Sequence, residues 1–119
     1  MKKIVKTQII STDSNNQYKS KVIMDNNTLK YKEDDVIVVL KKYPDYITLN
    51  RRTNDYNYTF IFKKGGSKLE YSLTQNNFKF NLDFNTNDLI INENRIFISY
   101  NLENIDYTYE VLLEEDLWF

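Results

Sequence analysis

Apolar and polar residues alternate with a period of two along most of this 119-residue chain. The stretch DYNYTFIFKKGGSKLEYSL (55–73) shows the alternation most clearly, with aromatic or aliphatic residues at every second position on both sides of Gly65-Gly66. Such alternation is typical of β-strands that bury one face. No window has the period of an amphipathic helix, and alanine, the best helix former, is absent. The pattern therefore predicts an all-β protein.

Short polar clusters separate the alternating segments and mark the predicted turns. We predict two-residue hairpin loops, which Asn, Asp and Gly favour because they accept a positive φ, at Asn26-Asn27, Glu33-Asp34, Gly65-Gly66, Asn76-Asn77, Thr86-Asn87, Glu93-Asn94 and Asn104-Ile105. The resulting cross-strand pairs are Met24 with Leu29, Tyr31 with Val36, Tyr58 with Leu73, Leu73 with Phe80, Phe84 with Leu89, Ile91 with Ile96, and Leu102 with Tyr107. All of these pairs are apolar or aromatic, so the predicted register is self-consistent.

These hairpins predict an antiparallel meander in which residues 1–119 form a single domain. We expect it to close into a β-barrel of about 8–10 strands, because closure removes exposed strand edges. The predicted inner face begins at Tyr18 and holds eight of the ten tyrosines and five of the seven phenylalanines.

A smaller apolar set is predicted to face outward, and it comprises Ile23, Ile37, Val39, Ile61, Ile90, Phe97 and Leu112. We expect the part near Ile37 and Val39 to form a homodimer contact or to be covered by the tail Asp116–Phe119. Trp118 and Phe119 would be the covering side chains of that tail.

Charge and composition exclude several functions. The net charge is −1, and histidine and cysteine are absent. A near-neutral chain is not expected to bind nucleic acid through its charge, and single-strand binding needs aromatic residues on an exposed basic face. The chain also lacks the commonest general base, any thiolate and the usual zinc ligands. We therefore expect a non-enzymatic protein without a metal or other cofactor.

The remaining local patterns carry no chemistry of their own. The apolar run in MKKIVKTQII is interrupted by Lys6 and Gln8, so neither a signal peptide nor a membrane span is predicted, and we expect a cytoplasmic protein. The acidic run Glu33-Asp34-Asp35 is interpreted as solvated turn charge. The segment KKGGSK lacks the strand-loop-helix context of a phosphate loop and is interpreted as a hairpin tip.

Arg51 is the most informative polar residue of the predicted inner face. It follows the inward positions Ile47 and Leu49 in ITLNRRT. A guanidinium in a barrel interior needs a carboxylate, a tyrosine hydroxyl or an anion. Two interpretations stay open: Arg51 reaches solvent or pairs with a carboxylate such as Asp55, or it holds the acidic head of an otherwise apolar ligand.

The aromatic interior also has two interpretations. Small barrels fill their interior with side chains, but eight inward tyrosines carry many hydroxyls for a dry core. We predict a small, partly apolar ligand in or at the mouth of the barrel. The candidate ligand-binding residues are Arg51, Tyr31, Tyr56, Tyr58, Tyr71, Tyr100 and Tyr109. The alternatives are a structural or protein-interaction module with a filled core and, third, a single-stranded nucleic-acid binder.

The chain resembles the small bacterial YwiB-like family, a domain of unknown function with a calycin-like (lipocalin-like) barrel. The resemblance covers most of residues 28–115 and rests on the strand that ends in Arg51, on FIFKKGG, Tyr71, FKFNLDFNTNDL and ISYNLE. It implies a barrel fold and no established activity. Here VIVVLKKYPDY leads almost directly to ITLNRR, where the family has a further strand, so the resemblance leaves the strand count open.

Overall fold

The chain folds into eleven β-strands in a computed structural model that describes residues 3–11, 14–74 and 78–115. The strands are β1 (Lys3–Ser11), β2 (Ser14–Lys21), β3 (Ile23–Asp25), β4 (Thr28–Glu33), β5 (Val36–Lys42), β6 (Tyr46–Arg52), β7 (Tyr56–Lys63), β8 (Ser67–Leu73), β9 (Lys79–Ile91), β10 (Arg95–Leu102) and β11 (Ile105–Glu115). The all-β prediction is confirmed. Among the described residues, no helix is present that could cross a membrane.

All eleven strands belong to one sheet with the order β2-β1-β11-β10-β9-β8-β7-β6-β5-β4-β3, and every neighbouring pair is antiparallel. The two strands at the ends of this order, β2 and β3, are separated in the chain by Val22 alone. The backbone N–H of Lys32 in β4 donates to Ser20 Oγ in β2 at 3.3 Å, which links the two ends of the sheet. The sheet is therefore a nearly closed barrel. Because β2 and β3 follow one another directly in the chain, its eleven strands correspond to ten traverses of the barrel wall.

β1 adds an inner face that the sequence pattern did not predict. Val5 and Thr7 are both buried, and β1 pairs with β2 on one side and β11 on the other. The alternation of MKKIVKTQII is hard to recognise because Thr7, an inward position, is polar. β1 thereby connects β11 to β2 within the barrel wall.

β9 runs without interruption from Lys79 to Ile91, so the hairpin loop predicted at Thr86-Asn87 is wrong. Its first half pairs with β8 and its second half with β10. The register shifts where Ser99 pairs with Asp88 but Tyr100 pairs with Thr86, so Asn87 is the extra residue of a β-bulge. A bulge bends its strand, which suits a barrel corner. The polar Thr86 is buried and its hydroxyl is hydrogen-bonded to that of Ser67 at 2.6 Å.

The hairpin registers are confirmed at Met24–Leu29 and at Ile91–Ile96. The predicted pair of Phe84 with Leu89 does not form, because both residues lie on β9. In the other four hairpins the partner lies two residues away from the predicted one: Tyr31 pairs with Val38, Tyr58 with Tyr71, Tyr71 with Phe80, and Tyr100 with Tyr107. A shift of two residues keeps every side chain on its predicted face. The loop predicted at Asn76-Asn77 lies outside the described residues.

Two of the shifted loops contain three residues with a positive φ, and two of these are Asp or Asn. The β4–β5 loop is Asp34-Asp35, with Asp34 at φ 55°, and the β10–β11 loop is Glu103-Asn104, with φ of 51° and 67°. The predicted alternative would have placed Ile105 in the loop, where its branched Cβ disfavours positive φ. Moving the first of these loops by one residue takes Glu33 out of the turn and into β4.

The barrel half that contains the β5–β6 and β7–β8 connections is filled with apolar side chains. Phe62 is 1% exposed, and its ring centroid lies 5.2 Å from that of Phe60, 5.6 Å from that of Phe84 and 5.0 Å from that of Tyr100. Aromatic core filling is thus observed in this half of the barrel.

Phe78 and Phe80, which are two of the five phenylalanines of the predicted inner face, are 49% and 39% exposed. The pairing of β9 with β10 ends at Asn85, so the β8–β9 hairpin extends past that neighbour. Of the outward apolar residues, Ile23, Ile37 and Ile90 are exposed. Asp116–Phe119, the predicted covering tail, lies outside the described residues.

The glycines at the β7–β8 turn offer a test of the local backbone. Gly66 N–H donates to the Lys63 carbonyl at 3.1 Å, and Gly65 has φ 92°, the positive value that the third residue of a type II turn requires. We expect Gly65→Ala to lower the free energy of unfolding by about 1 kcal/mol, because an L side chain disfavours this φ. Urea denaturation measures the change.

Gly66→Ala is the matched control, since a Cβ at either glycine would meet nothing within 4 Å and only Gly65 has a positive φ. We expect Gly66→Ala to leave stability unchanged or to raise it slightly, because it restricts the unfolded chain. Equal losses in the two variants would contradict the assignment of the turn.

Candidate functional site

A cavity of about 310 Å³ lies at the opposite end of the barrel from the packed half. Five tyrosines contribute to its wall, namely Tyr18, Tyr56, Tyr58, Tyr100 and Tyr107. Among the residues that the structure describes, Arg51 and Glu33 bring the only charged side chains of the lining, and the others of the lining are apolar. It lies at the rim where β4, β6 and β10 end and where β5, β7 and β11 begin. Its volume falls within the range of about 300–1,000 Å³ that is typical of small-molecule sites.

Glu33 is the centre of a buried polar network beside the cavity. Its side chain is 3% exposed, and its Oε1 accepts from Arg51 Nη2 at 2.8 Å. Its Oε2 accepts from the Thr7 hydroxyl at 2.6 Å and from the Tyr109 hydroxyl at 3.0 Å. The network joins β1, β4, β6 and β11 across the barrel interior.

The interpretation of Glu33 as solvated turn charge is therefore wrong. The loop begins at Asp34, so Leu29, Tyr31 and Glu33 occupy successive inward positions of β4. A usable signal was present in the sequence: a loop at Asp34-Asp35 puts an Asp at the positive-φ position, and Asp adopts that conformation more readily than Glu. Thr7 was also missed, and its sequence context offers no comparable signal.

Arg51 points inward as predicted, and its partner is Glu33 rather than Asp55. Burial lowers the pKa of the guanidinium, but the neighbouring Tyr109 and Glu33 outweigh burial, so the pKa is raised above its ordinary value. Its carbon Cζ lies 4.9 Å from the centroid of the Tyr109 ring. Arg51 Nε is buried and has no hydrogen-bond partner among the residues described. The side chain is 19% exposed, and Arg51 contributes to the cavity lining.

Tyr31 and Tyr109 belong to the network and do not line the cavity. Their hydroxyls are hydrogen-bonded to each other. Because a hydroxyl has one proton and that of Tyr109 is directed to Glu33, Tyr31 must be the donor to Tyr109. Burial raises the pKa of both phenols, and the nearby carboxylate of Glu33 raises each further. Both side chains are therefore neutral hydrogen-bond donors.

Tyr56 and Tyr58 line the cavity, whereas Tyr71 supports them from the neighbouring strand. The ring centroids of Tyr56 and Tyr58 are 4.7 Å apart, and those of Tyr58 and Tyr71 are 4.6 Å apart. Burial raises the pKa of Tyr58, and Tyr71 adds to the effect. The aromatic row continues from Tyr71 to Phe80, with the ring centroids 4.9 Å apart.

Tyr100 and Tyr107 form the facing part of the wall. Their rings are stacked with centroids 5.1 Å apart, and Tyr100 also contacts the packed core through Phe60, at 6.3 Å between centroids. Burial raises the pKa of Tyr100 to about 12. Of the seven candidate residues, the structure thus places Arg51, Tyr56, Tyr58 and Tyr100 in the lining and Tyr31, Tyr71 and Tyr109 directly behind it.

Other depressions lie on the outside of the barrel. One of about 860 Å³ is bordered by Asp35, Arg52 and Asp55, and one of about 430 Å³ crosses β1, β2 and β11 near Lys6 and Glu110. These charged residues are mostly solvated, so neither depression combines an apolar wall with converging buried polar groups. Among the residues described, no group of three or more acidic side chains is placed to hold a metal ion.

Comparison with known proteins supports the fold. No family model matches the chain, and no curated protein matches it. The crystal structure of the ywiB protein from Bacillus subtilis is similar to this structure with a TM-score of 0.64, at 14% sequence identity, over 97% of this chain and 90% of that chain. Likeness at this identity is evidence about the fold alone. The chain therefore has a YwiB-like fold, an eleven-stranded antiparallel barrel that is nearly closed.

Proposed function

We propose that this protein is a non-enzymatic binding protein that takes up a small, partly apolar ligand at the mouth of its barrel. The observation that carries the proposal is the cavity of about 310 Å³, in which tyrosine rings surround a buried Arg51–Glu33 pair. An apolar wall with a few converging polar groups is the usual composition of a ligand site.

The contacts around the cavity favour a preformed ligand site over a packing defect. The Glu33 network holds Arg51, Thr7 and Tyr109 in place by hydrogen bonds, and a ring contact holds Tyr58 against Tyr71. Such support keeps the lining residues in place before a ligand arrives, which lowers the ordering cost of binding.

The tyrosine side chains in and behind the cavity are poorly suited to catalysis. The phenols of Tyr31, Tyr58, Tyr100 and Tyr109 have raised pKa values, because burial disfavours the phenolate. A general base needs a pKa near the operating pH, which these groups lack. The proposal accordingly assigns the protein no reaction and no cofactor. We also propose that it is a bacterial member of the calycin-like YwiB family and is located in the cytoplasm.

A protein-interaction module is the second candidate function. It is favoured by Ile23, Ile37 and Ile90, which are exposed on the outer face of the sheet. A homodimer through Ile37 and its neighbours would cover part of this surface. Nucleic-acid binding ranks below both, because the tyrosines of the mouth surround a neutral pair of charges and not a basic groove.

The proposed binding site is tested with the fluorescent amide 1-naphthaleneacetamide as probe and with isothermal titration calorimetry. We expect the unmodified protein to bind it and Leu102→Trp to bind at least about tenfold more weakly, because the indole fills the cavity. Native mass spectrometry of the purified protein provides an independent search for a retained ligand.

Ile90→Trp is the control, since Ile90 is exposed on the outer face and does not contribute to the cavity. It should bind the amide like the unmodified protein. If the Leu102 and Ile90 variants bound equally well, or if the unmodified protein bound nothing, the proposed site would be wrong. A dimer without a bound small molecule would favour the interaction module.

A further inference from the structure

We propose that Glu33 determines the specificity of this cavity by excluding acids, so that the ligand is an uncharged, planar molecule whose carbonyl or amide oxygen accepts a hydrogen bond from Arg51. The inference rests on the proposed binding function and adds the ligand class and the residue that selects it. In the described part of the chain, Arg51 and Glu33 are the only charged side chains of the lining, and they form an ion pair with each other.

The charge of Arg51 is already compensated. Glu33 Oε1 lies 2.8 Å from Arg51 Nη2, and Thr7 and Tyr109 both donate to Oε2. Both oxygens of the Glu33 side chain are thus occupied by donors, and the ion pair of Glu33 with Arg51 has no net charge.

An acidic ligand would meet this arrangement at a disadvantage. Its carboxylate would approach Arg51 at the cost of its own hydration, and it would place a second negative charge close to Glu33. Glu33 cannot swing away into water, because its side chain is 3% exposed and held by three donors. An acid consequently gains much less from Arg51 than it would from an unpaired guanidinium.

A neutral acceptor avoids both penalties. The guanidinium carries five N–H groups, and the ion pair is made through Nη2. The side chain is 19% exposed and lines the cavity, so a carbonyl oxygen can accept from it without adding charge.

The walls favour a planar ligand. Tyr56, Tyr58, Tyr100 and Tyr107 offer ring faces and edges, which pack well against flat groups. Burial keeps the phenols of Tyr58 and Tyr100 neutral by raising their pKa values. An uncharged ring system with one carbonyl or amide oxygen matches both the walls and the guanidinium.

The test compares 1-naphthaleneacetamide with 1-naphthaleneacetate, which share their ring and differ in the charge of one group. For the unmodified protein we expect the amide to bind about 10- to 100-fold more tightly, measured by isothermal titration calorimetry. In Glu33→Gln the guanidinium loses its counter-charge, so the acid should gain at least about tenfold. Glu33→Asp keeps the charge and should keep the preference for the amide.

Chemical rescue provides a second measurement if Glu33→Gln folds poorly. The acid supplies the missing negative charge, so it should raise the melting temperature of this variant more than the amide does. The double variant Glu33→Gln/Arg51→Met has no unpaired cation and should not respond to the acid in this way.

The outcomes separate the two proposals. If the acid binds the unmodified protein as tightly as the amide, or equally to the unmodified protein and Glu33→Gln, the selectivity is refuted while the binding site stands. If neither probe binds any of these variants, the selectivity and the proposed site both fall. A preference for the amide that reverses in Glu33→Gln and persists in Glu33→Asp supports the role assigned to Glu33.

Discussion

Glu33→Met is expected to lower the free energy of unfolding by about 3–5 kcal/mol, because it leaves the guanidinium of Arg51 buried without a counter-charge. The change also leaves the hydroxyls of Thr7 and Tyr109 without their acceptor, because both donate to this carboxylate. Chemical denaturation with urea measures the loss. The same network spans four strands, so its removal should loosen the barrel as a whole.

A double-mutant cycle isolates the ion pair. Arg51→Met alone should also be costly, whereas Glu33→Met/Arg51→Met should cost clearly less than the sum of the single changes, because an apolar pair leaves no charge unpaired. Glu114→Gln is the control, since its ion pair with Lys6 is exposed and worth at most about 1 kcal/mol. Additive losses at Glu33 and Arg51 would refute the coupling of these two residues.

Phe62→Ala should lower the free energy of unfolding by a similar amount, about 3–5 kcal/mol, through the cavity that it creates. Phe62 is 1% exposed and packs against the rings of Phe60, Phe84 and Tyr100, so the surrounding side chains have little room to collapse. Urea denaturation is again the measurement. Because Tyr100 lines the ligand cavity, binding of the amide probe should weaken together with the packing.

Phe80→Ala is the matched control for the packed half. Phe80 is 39% exposed and contacts the rings of Tyr71 and Phe78 on the projecting β8–β9 hairpin. Its truncation removes less buried area and should cost well under half as much as that of Phe62. Equal losses would show that the projecting hairpin contributes to the core as strongly as the packed half does.

The two predictions concern the two halves of one interior. Apolar rings fill the barrel around Phe62, and the open end holds tyrosines around a buried ion pair. The Glu33 network belongs to the open end and spans the barrel through Thr7 and Tyr109. It stabilises the fold and, in the proposed function, presents Arg51 to the ligand.

Much of the fold followed from alternation alone. The period of two assigned inner faces correctly for β4 to β8, and hairpin registers that were shifted by two residues still kept every side chain on its face. Thr86-Asn87 was misassigned because a polar pair within a strand looks like a turn. Thr86 is buried, and its hydroxyl is hydrogen-bonded to that of Ser67, nineteen residues away in the chain.

The sequence by itself determined that the protein is an antiparallel barrel with an aromatic interior and that Arg51 faces inward, since these properties depend on local periodicity. Only the tertiary structure decided what Arg51 binds. Tyr109 lies 76 residues from Glu33 and Thr7 lies 26 residues from it, and closure of the barrel brings all three together around one carboxylate. Periodicity assigns a side chain to one face of its strand. Which residue it meets across the barrel interior depends on the register and the bulges of all the strands in between, and on how the barrel closes.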